Sequence, residues 1–314
     1  MKKKLNELKI ERRDVMYFKP KEVVETYRNG CQAKAHTPIP HLMIKSIFAG
    51  VMIGMGAAGS SVAAHAITNV GLARLVASFV FPVGLMMVIL MGAELFTGDC
   101  LMIVGLPEGD ITPAELVKTL IFVWFGNLVG GVLLSLLIVG SGQLDYSSGL
   151  LGAYTIKVAL AKATITPVKA ITSGILCNIL VCFAVFMTMC AKDVTGKLLS
   201  SFFVIMLFVT SGFEHCVANM YYIAAGIFAK MNASYAACAT EAYGITGDQL
   251  AALNWKTMVV NNLLPVTIGN IIGGACCVGL PLYYINKEYV KKKKTKEVVA
   301  KDEYGSDYSY GFTH

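Results

Sequence analysis

The sequence predicts an all-α integral membrane protein with six transmembrane helices, arranged as a 3+3 inverted repeat in which the second and fifth helices are broken. Three observations favour this fold class. Long uncharged runs fill the middle of the chain, positive charges gather at both ends, and short motifs recur in the same order in the two halves. None of these features is typical of a soluble domain.

The uncharged runs predict the spans. The 314 residues are 55% hydrophobic and only 15% charged, with a mean hydropathy of +0.61, whereas soluble domains carry about 25% charged residues. About 18 consecutive apolar residues mark a candidate membrane helix. Four runs reach that length and two come close to it, which gives six spans: Leu75–Ala93, Thr119–Leu144, Ala170–Ala191 and Thr257–Asn286, then Ser46–Ser78 and Leu198–Met231.

The charge distribution predicts the orientation and the domain limits. Residues 1–40 form a basic arm, 41–286 the six-span domain, and 287–314 a basic tail that we expect to be disordered. By the positive-inside rule both ends are cytoplasmic, and an even number of spans agrees with that. Pro20 can start a short helix in the arm, with Val23, Val24 and Tyr27 on one face. The polar first 40 residues do not resemble a cleavable signal peptide, and no fold-level motif supports nucleic-acid binding.

The internal repeat is carried by three pairs of motifs. The first span begins Lys45-Ser46-Ile47-Phe48-Ala49-Gly50 and the fourth Lys169-Ala170-Ile171-Thr172-Ser173-Gly174. Gly92-Ala93-Glu94 corresponds to Gly212-Phe213-Glu214, and Gly126-Asn127 followed by Gly130-Gly131 to Gly269-Asn270 followed by Gly273-Gly274. Three spans per half place the halves in opposite orientations, which predicts a substrate site near the midplane between them.

The second and fifth spans are interrupted at equivalent places, by residues 92–99 and 211–215. Irregular backbone survives at mid-membrane depth only where protein buries it or where it lines a cavity. A half-helix that starts at such a break points its amide groups at the site, which favours an anion. His215 lies in the second break, and an ionisable residue inside a membrane is a functional candidate by default. The alternative is a structural histidine held by Glu214 or Asn219.

Three strings resemble the signatures of the formate/nitrite transporter family: Gly92-Ala93-Glu94-Leu95-Phe96-Thr97-Gly98, Gly212-Phe213-Glu214-His215-Cys216-Val217-Ala218-Asn219 and Asn262-Leu263-Leu264-Pro265-Val266-Thr267-Ile268-Gly269-Asn270. The resemblance covers about residues 20–287. It implies an aquaporin-like fold and a homopentamer with one pore in each protomer.

The same resemblance implies a role for each candidate residue. His215 is the central pore histidine, Thr97 faces it, and Glu214 and Asn270 orient it, with Asn219 and Asn178 among the surrounding polar groups. Two apolar constrictions flank it, one formed by Leu95 and Phe208 and the other by Phe81 and Leu85. Lys162 draws anions toward the pore, although Ala163-Thr164-Ile165 follows it in place of the basic stretch that is common in the family.

These features predict a channel or transporter for small monovalent anions in the cytoplasmic membrane. Formate is the expected cargo, with nitrite, hydrosulfide and lactate-like monocarboxylates as alternatives, and a proton passed by His215 would carry a weak-acid anion through the apolar constrictions. A neutral-solute channel of aquaporin type is the competing class, but the sequence has no Asn-Pro-Ala motif. An enzyme is not expected, since no metal-spaced cluster, phosphate-binding loop or nucleophile elbow is present, and no cofactor or metal is expected either.

Overall fold

The computed structural model describes residues 17–287, and the secondary-structure elements named in this range are all helices. Six helices are long and apolar enough to cross a membrane, as the sequence predicts. They are Ile39–Ala64, Val70–Met91, Pro113–Gly140, Pro167–Cys190, Val194–Ser211 and Trp255–Lys287. The basic residues of 1–16 and most of the tail that we expected to be disordered lie outside the described residues.

Helix α1, Pro20–Ala35, precedes the first span. Pro20 occupies its first turn, where a missing amide hydrogen costs nothing. Val23 and Val24 are buried, so the helix packs on the protein through the predicted apolar face. Arg28 Nε donates to Asp110 Oδ2 at 2.7 Å, which ties α1 to the segment that leads into the third span.

The first half of the bundle continues through three spans. Helix α2 (Ile39–Ala64) is the first. Helices α3 (Val70–Val80) and α4 (Val83–Met91) form the second, which resumes after a break as the one-turn α5 (Phe96–Asp99) and a 3-10 helix, Cys100–Gly105. Helix α6 (Pro113–Gly140) is the third span. Helix α6 begins with a capping box. The Thr112 hydroxyl accepts from the Glu115 backbone amide, and the Glu115 carboxylate accepts from the Thr112 backbone amide.

The second half repeats this succession. A preceding helix α7 (Leu150–Ala163) leads into the fourth span, α8 (Pro167–Cys190). The fifth span, α9 (Val194–Ser211), stops at a break and resumes as α10 (Cys216–Ala229). After the short helices α11 (Ala233–Tyr243) and α12 (Gly247–Ala252), the sixth span, α13 (Trp255–Lys287), includes π-helical stretches at Met258–Leu263 and Ile272–Gly279. Because three spans separate α1 from α7, these two helices lie on opposite sides of the bundle, here called the α1 side and the α7 side.

Small residues bring two pairs of spans into close contact, one pair in each half of the molecule. A side chain added at Gly130 on α6 would collide with the Ile47 carbonyl on α2, and one added at Gly273 on α13 with the Ile175 carbonyl on α8. The two glycine-rich strings therefore hold the first span against the third and the fourth against the sixth, as such motifs do between membrane helices. The two breaks, carried by the second and fifth spans, face each other between these pairs.

Candidate functional site

Both breaks begin with a glycine in the left-handed region. Gly92 has φ +62° and closes α4, and Gly212 has φ +73° and closes α9. Glycine adopts this conformation without the steric cost that a Cβ atom brings. Each break then runs for three more residues in irregular backbone before the chain turns helical again at Phe96 or Cys216. Both predicted interruptions are present, but the first is shorter than predicted, because Phe96–Asp99 already form the one-turn α5.

The first break is held open by Asn127 on α6, which the sequence analysis placed only in a packing motif. Its Oδ1 accepts from the Phe96 amide at 2.9 Å, and its Nδ2 donates to the Glu94 carbonyl at 3.0 Å and to the Ser46 carbonyl at 2.7 Å. Asn127 is fully buried. One side chain therefore satisfies backbone groups that membrane-depth protein could not leave unpaired.

Asn270 on α13 does the same for the second break. Its Oδ1 accepts from the Cys216 amide at 3.0 Å, and its Nδ2 donates to the carbonyls of Glu214 and Gly174 at 3.1 and 2.8 Å. We expected Asn270 to orient His215. Asn270 holds the backbone on either side of His215, so any effect on the ring acts through that backbone.

The His215 ring joins the two broken helices. Its Nε2 lies 2.9 Å from Thr97 Oγ1 on α5, and its Nδ1 accepts from the Ala218 amide at 3.1 Å, which caps the start of α10. A nitrogen that accepts from an amide carries no proton, so in the neutral ring the proton is on Nε2. Nε2 therefore donates to Thr97, and the Thr97 hydroxyl keeps its own proton for another acceptor. His215 and Thr97 are 3% and 0% exposed.

Glu214 precedes His215 but its carboxylate is held elsewhere. Lys162 Nζ donates to Oε1 at 2.9 Å, and the side-chain amides of Asn219 and Asn262 donate to Oε2 at 2.6 and 3.2 Å. None of these contacts reaches the His215 ring, whose nitrogens lie against Thr97 and the Ala218 amide and not against Glu214 or Asn219. That Glu214 orients His215 stays a prediction.

Asn178 on α8 supports the site from behind. Its Nδ2 donates to the carbonyls of Thr97 and Asn270 at 3.2 and 2.6 Å. It thus links the first break to the span that stabilises the second, and it positions the Thr97 backbone opposite His215.

A cavity of about 820 Å³ opens from the His215–Thr97 contact toward the α7 side. Lys162 and Glu214 lie in its wall, with His215 at its inner end. Its other basic groups, which sequence reasoning did not find, come from three separate helices and replace the missing basic stretch after Lys162: His65, Arg74 and Lys157. Their positions along the chain give no sign of their convergence, because only the packing of α2, α3 and α7 brings them together.

Phe81 and Phe208 meet beside His215 in this cavity. Their ring centroids are 5.8 Å apart at 78°, and the Phe208 centroid lies 5.9 Å from that of His215. The sequence analysis placed Phe208 with Leu95 in one constriction and Phe81 with Leu85 in the other. The two phenylalanines are in contact because the end of α3 packs against α9, and Leu85 and Leu95 lie outside the lining of this cavity. The two constrictions stay a prediction.

A second ion-pair cluster lies on the α1 side, and sequence reasoning missed it. Lys34 Nζ, near the end of α1, donates to Glu94 Oε2 and to Asp99 Oδ1. Lys45 Nζ lies 3.6 Å from Glu94 Oε1. The available signal was the repeat itself: a lysine on the helix before each half, Lys34 or Lys162, bonds the glutamate of the break that follows.

Known proteins are similar to this chain in sequence and in fold. The chain is 40% identical over 219 residues to the formate channel FocA of Haemophilus influenzae, which covers 70% of this chain and 76% of the relative. It is 33% identical over 271 residues to a probable formate transporter of Methanothermobacter thermautotrophicus, covering 81% and 91%. A solved pentameric formate channel with formate bound superposes with a TM-score of 0.72 at 35% identity, over 79% of this chain and 97% of that one.

The family model for formate/nitrite transporters matches residues 21–284, which include both breaks, five whole spans and nearly all of α1 and of the sixth span. The chain therefore belongs to the formate/nitrite transporter family.

Proposed function

We propose that this protein is a homopentameric channel for small monovalent anions, with formate as its cargo and one pathway through each protomer. The α1 side would face the cytoplasm of a plasma membrane, in accordance with the basic arm and tail. The relatives named as formate channels support the cargo, and the solved pentamer supports the assembly. The protein would be a channel and not an enzyme.

The contact between His215 and Thr97 carries this proposal. It places two hydrogen-bond donors, the ring Nε2–H and the threonine hydroxyl, where the two helix breaks meet, and His215 also lines the cavity that holds the four basic groups. The donors are buried and fixed by backbone contacts, so they need no reorganisation to receive an anion. Basic groups in the cavity wall would raise the local anion concentration.

The Phe81–Phe208 pair would act as an apolar constriction next to this site. A bare anion loses its hydration there at high cost, whereas the neutral acid does not. In the neutral ring Nδ1 accepts from the Ala218 amide, so Nε2 is the nitrogen that faces the anion. A neutral ring is too weak an acid to protonate formate, so the ring would first take a proton from the cavity at Nδ1, with the Ala218 contact given up. The imidazolium would then give its Nε2 proton to the anion, and return of a proton to Nε2 with loss of the one on Nδ1 would restore the resting ring. Passage of formate would then be linked to protons and would rise at low pH.

The test is formate flux into proteoliposomes at pH 7 and pH 5, for the parent protein and for His215→Ala and His215→Gln. Gln keeps a donor at the position of Nε2 but cannot titrate. We expect Gln to pass formate with a flat pH profile and no accompanying proton movement, and Ala to lose most of the flux. A pH profile equal to that of the parent in both variants would eliminate the proton role of His215.

Nitrite and hydrosulfide remain alternative cargoes, because both are small monovalent anions that would fit the same donors. Competition of each with labelled formate in the parent protein ranks the three. A neutral-solute channel is the other candidate, and the four basic groups of the cavity speak against it. Glycerol flux that exceeds formate flux would favour it nonetheless.

A further inference from the structure

Asp99 has a buried oxygen that the rest of the structure leaves unpaired. Within the described part of the chain, its Oδ2 and the Oδ1 of Asn219 are the two buried side-chain polar atoms that have no hydrogen-bond partner. Asp99 is 2% exposed. We propose that Asp99 carries a proton in the resting protein, and that loss of this proton removes the attraction of the α1-side mouth for anions. This inference rests on the proposed anion channel.

The geometry around Asp99 calls for such a proton. Lys34 Nζ donates to Asp99 Oδ1 and to Glu94 Oε2, so two carboxyl groups share one ammonium. Because one nitrogen contacts both, the two carboxyl groups lie close together. Two ionised carboxylates in that position repel each other, whereas a proton on one turns the repulsion into a hydrogen bond. With Oδ2 protonated, Asp99 would donate to Glu94 and its orphaned oxygen would have a partner.

The repeat supplies an independent argument. An offset of 120 residues relates Glu94 to Glu214 and Asp99 to Asn219. On the α7 side, Lys162 donates to one oxygen of Glu214 and the Asn219 amide donates to the other, at 2.9 and 2.6 Å. A protonated Asp99 would complete the same arrangement on the α1 side. An ionised Asp99 could not, because it has no proton to donate.

The remaining groups near Asp99 do not supply a second charge to it. Lys45 contacts Glu94 alone, and its side chain is 48% exposed, so water screens it. Burial raises the pKa of the Cys31 thiol on α1 to about 12 and that of Tyr27 well above its ordinary value, so both are neutral. The Cys182 thiol on α8 faces the same cluster. Asp99 is therefore the group in this cluster whose charge is free to change.

The consequence is a difference between the two mouths of the pathway. With Asp99 protonated, the charges of Lys34 and Lys45 exceed that of Glu94, and the α1-side mouth attracts anions. When Asp99 ionises, its negative charge cancels that excess of positive charge. Asp99 is only two residues after Thr97 in the chain, so this change occurs close to the proposed pathway. The α7 side, where the neutral Asn219 stands, has no matching switch. Alkaline pH on the α1 side should then reduce formate flux in either direction, and alkaline pH on the α7 side should act only through the proton linkage at His215.

The experiment uses proteoliposomes whose inner and outer pH are set separately, with the orientation of the protein determined by proteolysis of its N-terminal arm. Formate flux is compared for the parent and for Asp99→Asn, which has nearly the same shape and is always neutral. We expect the parent to lose flux several-fold as the α1-side pH rises, and Asp99→Asn to lose only the part that the proton linkage at His215 accounts for, which is the loss that the same pH rise on the α7 side produces. The reciprocal Asn219→Asp should introduce a new pH response on the α7 side.

Infrared difference spectra provide a readout that does not depend on transport. A protonated carboxyl has a C=O stretching band that a carboxylate lacks, and this band should be present in the parent at neutral pH and absent from Asp99→Asn. If the Asp99→Asn substitution removes a carboxylate band instead, or if the variant keeps the parent's dependence on α1-side pH, the inference is wrong. A parent that carries no formate at any pH would contradict the proposed function, while the infrared band would still decide the protonation of Asp99.

Discussion

The Nε2 atom of His215 lies 2.9 Å from Oγ1 of Thr97, and this one contact joins the two broken helices where each resumes its helical path. Both residues are buried, and each is fixed by the backbone of its own break. The pair thus links the two halves of the molecule, and its buried hydrogen-bond donors lie on the proposed pathway.

The Thr97 hydroxyl should therefore matter to both transport and stability. Thr97→Val keeps the shape but leaves the Nε2–H of His215 without a partner, which costs about 1–3 kcal/mol for a buried donor. We expect a lower melting temperature and strongly reduced formate flux in proteoliposomes. Thr97→Ser is the matched control and should keep most of both. Equal flux in the Val and parent proteins would mean that the hydroxyl does not touch the anion.

The ion pair of Lys162 and Glu214 should be sensitive to the loss of either partner. Lys162→Gln leaves a buried carboxylate with its amide donors alone, and removing one member of a buried pair costs roughly 3–5 kcal/mol, less here because the lysine is 17% exposed. Formate flux should fall most at low salt, where the lost attraction is least screened.

The double variant Lys162→Gln, Glu214→Gln separates stability from anion attraction. With both charges gone, the melting temperature should return toward that of the parent while the flux stays low. If the flux recovers together with the stability, Lys162 acts only as a structural partner of Glu214. Lys157→Gln is a control in the same cavity wall, since Lys157 Nζ lies 4.3 Å from the centre of the Tyr243 ring and Lys157 forms no pair with Glu214.

Much of this architecture was predictable because its signals are local. The spans follow from uncharged length, the breaks from Gly92 and Gly212 beside glutamates, and the helix of the arm from Pro20. The equivalence of the two halves needed only motifs in order. The contact of Thr97 with His215 was expected from the family resemblance, since no property of either residue alone indicates the other across 118 positions.

The parts that could not be predicted depend on packing between distant helices. The contact between Phe81 and Phe208 has no sequence signal, because the two rings come together only where α3 meets α9. The partners of Glu214 were hidden for a related reason. Its neighbour in sequence is His215, but its hydrogen-bond donors lie on α7, α10 and α13.

The close approach of α6 and α2 gives a prediction about folding alone. Gly130→Ala would place a methyl group against the Ile47 carbonyl, and forcing extra atoms into a packed contact costs about 1–3 kcal/mol. We expect a lower melting temperature in detergent and less assembled oligomer. Gly140→Ala, at the end of the same helix with nothing within 4 Å of the added atom, should not destabilise the protein. Equal losses in the two variants would show that the contact with Ile47 is not responsible, since alanine favours a helix more than glycine does.

The Phe81–Phe208 pair should set the size of the anion that passes. The Phe208 ring contacts both the Phe81 ring and the His215 imidazole. Phe208→Ala removes this ring and leaves an open space beside Phe81 and His215. Truncation of a buried phenylalanine costs about 3–5 kcal/mol, so flux must be measured below the lowered melting temperature and normalised to folded oligomer. We expect lactate to pass where the parent admits chiefly formate, and the pH dependence of formate flux to weaken, since an anion that keeps its water no longer needs a proton to cross.

Phe203→Ala on the same helix is the control, because its ring is 63% exposed on the outer surface and its loss should leave selectivity unchanged. If Phe208→Ala keeps the parent's preference for formate over lactate, the constriction lies elsewhere on the pathway, and Leu85 and Leu95 toward the α1 side become the residues to truncate next.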